Sequence, residues 1–177
     1  EQHNKRIKQL INKEYALGTF KRHEVTLKHL REFMLQQYGV DDIDINKIDH
    51  AFISDFDFYL RCNRNCGNNS TVKYVMNFKK VIRQCIANGW LTQDPFVRYS
   101  SRLQVVERDV LNEEELQAIY LKDFRLDRLD VVRDIFIFSC YTGLAYIDVK
   151  RLTRDNLVKG IDGQLWISTH RQKTDSP

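Results

Sequence analysis

The sequence predicts a mainly α-helical molecule in which a helical bundle precedes the start of an α/β unit. Three observations predict it. The first hundred residues carry three long segments with apolar side chains at helical spacing, separated by Gly39 and by the Asn/Gly-rich loop "NRNCGNNS". Asp94-Pro95 then forces an extended exit, and the stretch "VRYSSRLQVVERDV" after it has no firm periodicity. Beyond Leu152 the pattern changes from helical spacing to alternation, as in short strands.

The elements follow in order. Residues 1–15 add a helical turn or two. The spacing of Phe20, Leu27, Leu30 and Met34 predicts a helix from Thr19 to Tyr38, with Thr19 after Gly18 as its cap and Gly39 as its stop. A second helix is expected from Asp49, its cap, to Arg61, with Phe52, Phe56 and Leu60 on one face. A third runs from Asn69 to Asn88, carrying Val72, Val75, Met76, Ile82 and Ile86, and Gly89 ends it. This gives a bundle over residues 1–96, a linker over 97–110 and a second unit over 111–177. That unit opens at Asn112, with Glu115 placed to reach back to the cap. An apolar helix from Leu126 to Tyr141, buried on several sides, follows it. Gly160 and Gly163 then sit in the turn between two short strands.

Composition narrows the class. Hydrophobic residues make up 42% and charged ones 29% of 177 residues, as in a water-soluble globular domain. No apolar run is long enough to span a bilayer. The net charge of +4 is unevenly placed: residues 1–104 hold 17 Lys/Arg against 11 Asp/Glu, and the remainder hold 11 against 13. The first half therefore faces a polyanion more readily than the second. Cys62, Cys66, Cys85 and Cys140 have no framework spacing and read as reduced thiols, and no second metal-ligand pair follows Cys62 and Cys66. The chain begins at Glu1 rather than Met, which reads as part of something longer.

In their order along the chain, several segments together resemble the tyrosine-type site-specific recombinases of the phage-integrase family, most closely integrases of bacterial conjugative transposons. "GTFKRHEVTLKHLREFM" resembles the first helix of their core-binding domain. "NNSTVKYVMNFKKVIRQCIANGWLTQDPF" resembles its last helix and Asp-Pro exit. "LNEEELQAI" resembles the opening of the catalytic domain. "FSCYTGLAYIDVKRLTRDNL" resembles the segment of the first active-site arginine, and "WISTHRQKT" the lysine hairpin. The resemblance implies a SAM-like helical core-binding domain followed by the truncated start of an α/β DNA breaking-rejoining domain. It also implies integration and excision of a mobile element through a 3′-phosphotyrosine, with no metal and no other cofactor.

Residue by residue, Ala145 occupies the position of the arginine that holds the scissile phosphate. Asp148 matches the acidic residue that steadies that arginine. Lys173 stands where the hairpin lysine protonates the leaving 5′-oxygen. Lys150, Arg151 and Arg154 are nearby candidates for a replacement cation. The family's His-x-x-Arg box and nucleophilic tyrosine have no counterpart in the sequence, so the chain alone is expected not to cut DNA. The same resemblance implies double-stranded DNA and other recombinase protomers, a tetramer in the synaptic complex, as partners. It further implies no membrane, a bacterial cytoplasmic, nucleoid-associated setting, and an arm-binding domain ahead of Glu1.

The DNA-facing residues are expected on two helices. Thr19, Lys21, Arg22 and Lys28 lie on the first. Thr71, Lys73, Asn77, Lys80 and Arg83 lie on the third, with 73, 77 and 80 sharing one face. Two other readings stand beside this one: an integrase-derived DNA-binding regulator without catalysis, for which Ala145 is the signature, and a helical protein–protein domain.

Overall fold

In the computed structural model, which describes residues 1–172, the chain divides into a compact unit of Glu1–Val106 and a second beginning at Glu107. The first is built from α1 (Gln2–Gln9), α2 (Leu17–Tyr38), α3 (His50–Cys62) and α4 (Asn68–Ala87). A single 3-10 turn, Ile45–Lys47, precedes α3.

Local chemistry sets the helix ends. Asp49 caps α3 by accepting from the Phe52 amide at 2.8 Å. Gly39 closes α2 at φ +69, which lets its amide donate to Leu35 and that of Val40 to Met34. The start of α2 differs from expectation: the helix begins at Leu17 behind Ala16, and Thr19 lies in its first turn. The preceding residues are already wound, with the Leu10 carbonyl accepting from Lys13, Glu14 and Tyr15. The chain therefore enters α2 without a side-chain cap.

The core of this unit is aromatic. Phe33 lies against Phe52, Phe56 and Tyr59, and Phe78 bridges from Phe52 and Phe56 to Phe96. Ile53, Leu60, Val75 and Ile82 fill the spaces between them. Two assignments are corrected. Met76 is 43% exposed, and Phe78, two positions on, takes the buried place. On α2 the buried face includes His23, Thr26, His29 and Phe33, whereas Leu27 and Leu30 are only half-buried. Phe96 is drawn into the core by Asp94, whose carboxylate accepts from the Phe96 amide at 2.8 Å just before the chain leaves the bundle.

The stretch after it is tied down further than its lack of periodicity suggests. The Tyr99 hydroxyl donates to Asp57 at 2.5 Å, and residues 102 and 104 are bonded to the first turn of α4.

The second unit comprises α5 (Glu113–Tyr120), α6 (Asp127–Thr142), the short α7 (Tyr146–Val149), a 3-10 turn at Arg154–Asn156, and an antiparallel hairpin of β1 (Leu157–Lys159) and β2 (Leu165–Ile167). Asn112 and Glu115 form a reciprocal capping box on α5. Gly143 at φ +70 ends α6. In the hairpin turn a Cβ on Gly160 would lie 2.5 Å from the Trp166 ring, so a side chain there forces the indole to shift. The Trp166 indole donates to Asp162 at 3.0 Å. The expectation that α6 is buried on several sides is corrected. Among the described residues Ile137 is its only buried side chain, while Val131, Val132 and Phe136 remain exposed because no second layer covers that face.

Candidate nucleic-acid interface

The expected DNA face is built from α2 and α4, which pack side by side. Their contact line is polar. Asn77 on α4 donates to the Thr26 hydroxyl on α2 at 3.3 Å, and Thr26 in turn donates to the Arg22 carbonyl at 2.8 Å. His23 is buried beside this line in edge-to-face contact with His3 of α1, whose ring bonds Gln84 of α4 at 3.0 Å. Burial pushes the His23 pKa below its ordinary value, and the neighbouring His3, Lys80 and Arg22 push it the same way. Arg22 lies on α2 and Lys80 on α4, so each helix brings a cation near His23. His29 is also lowered, chiefly by burial and then by Arg64, with Glu32 opposing.

Around this seam the expected cations point outward. Lys21, Arg22, Lys73, Lys80 and Arg83 are exposed and form no ion pair among the described residues, while Lys28 lies 3.9 Å from Glu32. A row of unpaired cations on a helix pair attracts a polyanion. Three of the predicted residues have other duties. Thr71 is fully buried and its hydroxyl donates to the Cys66 carbonyl at 3.4 Å, which removes it from the DNA-facing set. Asn77 is half-buried and committed to Thr26. Thr19 is half-buried in the first turn of α2.

The second unit carries the remaining candidates. Ala145 is exposed at the start of α7, and Lys150, Arg151 and Arg154 are exposed around it. Asp148 is 3% exposed and accepts from the Gln172 amide at 3.0 Å, so the turn after α6 is joined to the segment leaving β2. Lys173 lies outside the described residues.

Sequence reading missed a polar network at the other end of α3. Asp57 receives both Arg61 and Tyr99, with Arg61 Nε at 2.5 Å. Arg61 also donates to the Asn68 side-chain carbonyl at 3.0 Å. Burial and the Asp57 hydrogen bond raise the Tyr99 hydroxyl well above the ordinary phenol range. The only signal available beforehand was the i, i+4 spacing of Asp57 and Arg61.

Comparison with known proteins places the helical unit. A family model described as the phage integrase SAM-like domain matches residues 1–102, more than half of the chain. No curated protein and no solved structure matches. The matched segment ends within the helical unit, just past the anchored Tyr99. The chain accordingly belongs to the phage integrase SAM-like family, as a member of the tyrosine-recombinase integrases.

Proposed function

We propose that residues 1–106 hold duplex DNA for a site-specific tyrosine recombinase. The observation that carries this reading is the outward row of Lys21, Arg22, Lys73, Lys80 and Arg83 on two helices locked together at Thr26 and Asn77, within a segment that matches the integrase family. Those cations contact phosphates, which fixes orientation without reading sequence. Direct titration of a short duplex at low salt tests the assignment, and absence of binding there refutes it.

In this reading the whole recombinase resembles those of bacterial conjugative transposons. It exchanges strands of a mobile element through a 3′-phosphotyrosine, within a tetramer assembled on DNA in the bacterial cytoplasm. Lys173 is the general acid for the leaving 5′-oxygen, a role typically worth about 10²- to 10⁴-fold in rate. In a recombinase carrying this chain and the remaining active-site groups, Lys173→Ala slows cleavage strongly. A scissile 5′-sulfur, which leaves without protonation, restores most of the rate. Equal defects on both substrates refute the assignment. A replacement phosphate clamp among Lys150, Arg151 and Arg154 gives a defect that sulfur does not repair.

The exposed Ala145 favours a second reading, an integrase-derived DNA-binding regulator without catalysis. Salt-sensitive binding combined with no cleavage by the recombinase that contains the chain selects it.

A further inference from the structure

The first turn of α4 carries two adjacent carboxamides used in an unusual way. Asn69 both donates from Nδ2 to the Gln104 carbonyl and accepts at Oδ1 from the Gln104 amide, each at 2.8 Å. One side chain thus satisfies both backbone groups of one residue, as a neighbouring β-strand would. Asn68 donates to the Arg102 carbonyl at 2.9 Å, and Arg61 holds it in place through its side-chain carbonyl. Residues 102 and 104 are two apart, the repeat of an extended chain whose alternate carbonyls face one side.

No apolar burial supports this attachment. Leu103 is 59% exposed, Val105 92% and Val106 62%. The anchor upstream is different in kind: Phe96 is buried in the core and Tyr99 is bonded to Asp57. Three exchangeable hydrogen bonds set against the ordering of a few residues make a contact that opens without unfolding the bundle.

We propose that Asn69, supported by Asn68, is a latch that clips residues 102–104 onto α4 and so sets the free length of chain ahead of α5. Closed, the free path from Gln104 to the Asn112 cap is eight residue steps, a reach of roughly 26–29 Å. Open, the path from Tyr99 is thirteen steps, roughly 43–47 Å. The latch reads backbone only, so it is indifferent to which side chains the segment carries. Asn69 lies one helical turn before Lys73, and closure withdraws its carboxamide from any other partner.

Hydrogen exchange of the Gln104 amide, followed by NMR on the 177-residue chain, tests the latch. Asn69→Ala speeds that exchange roughly tenfold or more while the core amides of Val75 and Ile82 keep their protection. Gln104→Ala stays within about twofold of wild type, because its side chain takes no part. Unchanged exchange in Asn69→Ala overturns the latch, as does a Gln104→Ala variant that opens equally. Should Asn69→Ala loosen the bundle, Gln104→Pro decides in its place, since it leaves α4 untouched and deletes the amide that Asn69 receives. Brief proteinase K digestion then cuts between Tyr99 and Gln104, where the wild type is cut only beyond Gln104. Digestion patterns identical for Gln104→Pro and wild type overturn the latch.

Discussion

Replacing Lys73, Lys80 and Arg83 with alanine removes three of the five exposed cations on α2 and α4 that form no ion pair among the described residues. Each phosphate contact contributes about 0.9 to the slope of log affinity against log salt on B-form DNA. Five contacts give a slope of roughly −4.5, so raising salt from about 50 to about 200 mM weakens binding roughly 500-fold. With only Lys21 and Arg22 left, the slope falls to roughly −1.8 and the same change costs about 12-fold. Lys28, 3.9 Å from Glu32, is left out of the five. Fluorescence anisotropy with two duplexes of unrelated sequence, each titrated at four salt concentrations, measures both slopes. The substitutions sit on exposed positions and leave helicity unchanged, which circular dichroism checks. A slope that stays near its wild-type value, or a loss confined to one duplex, refutes the phosphate-contact assignment of α4.

Two further predictions concern the bundle itself. His23 and His29 have folded-state pKa values below the ordinary value, so their neutral forms are the ones the fold accommodates. Their contribution to stability is complete above about pH 6.5 and is lost as pH falls from there toward the folded values, each histidine giving a slope of at most about 1.4 kcal/mol per pH unit. Urea midpoints measured between pH 7.5 and 5 decline accordingly, and His23→Gln or His29→Gln flattens the decline. Phe56 is fully buried against Phe33 and Phe78, so Phe56→Ala costs about 3–5 kcal/mol, a large part of the stability of a domain this size. The exposed Met76 changed to alanine costs less than about 0.5 kcal/mol, and comparable losses for the two would contradict the packing described.

What could be read from the sequence was local. The Asp49 and Asn112 caps and the stops at Gly39 and Gly89 each depend on residues within one turn, and the structure places them at the ends of their helices. The α2–α4 seam was not legible, because His23, Thr26 and His29 count as polar in any hydrophobic periodicity. Their burial follows from what α1 and α4 present to them. Met76 and Phe78 were exchanged for the same reason: both fit an apolar run, and only the position of α3 decides which one turns inward. Thr71 was lost to the interface because its hydroxyl had a nearer partner in the Cys66 carbonyl. The attachment of residues 102–104 leaves no pattern in the residues attached, since Asn68 and Asn69 bond only their backbone.

The two tryptophans fall one to each unit, Trp90 just after α4 and Trp166 in β2, and each is 58% exposed. With either changed to phenylalanine, the chain carries a single indole emitter that belongs to one unit alone. Acrylamide reaches both in the native state, and the Trp166 emission also reports on its bond to Asp162 in the hairpin turn. The chain therefore contains its own pair of optical reporters. Melting of the helical unit and of the hairpin can be followed separately, one variant for each and without an added label.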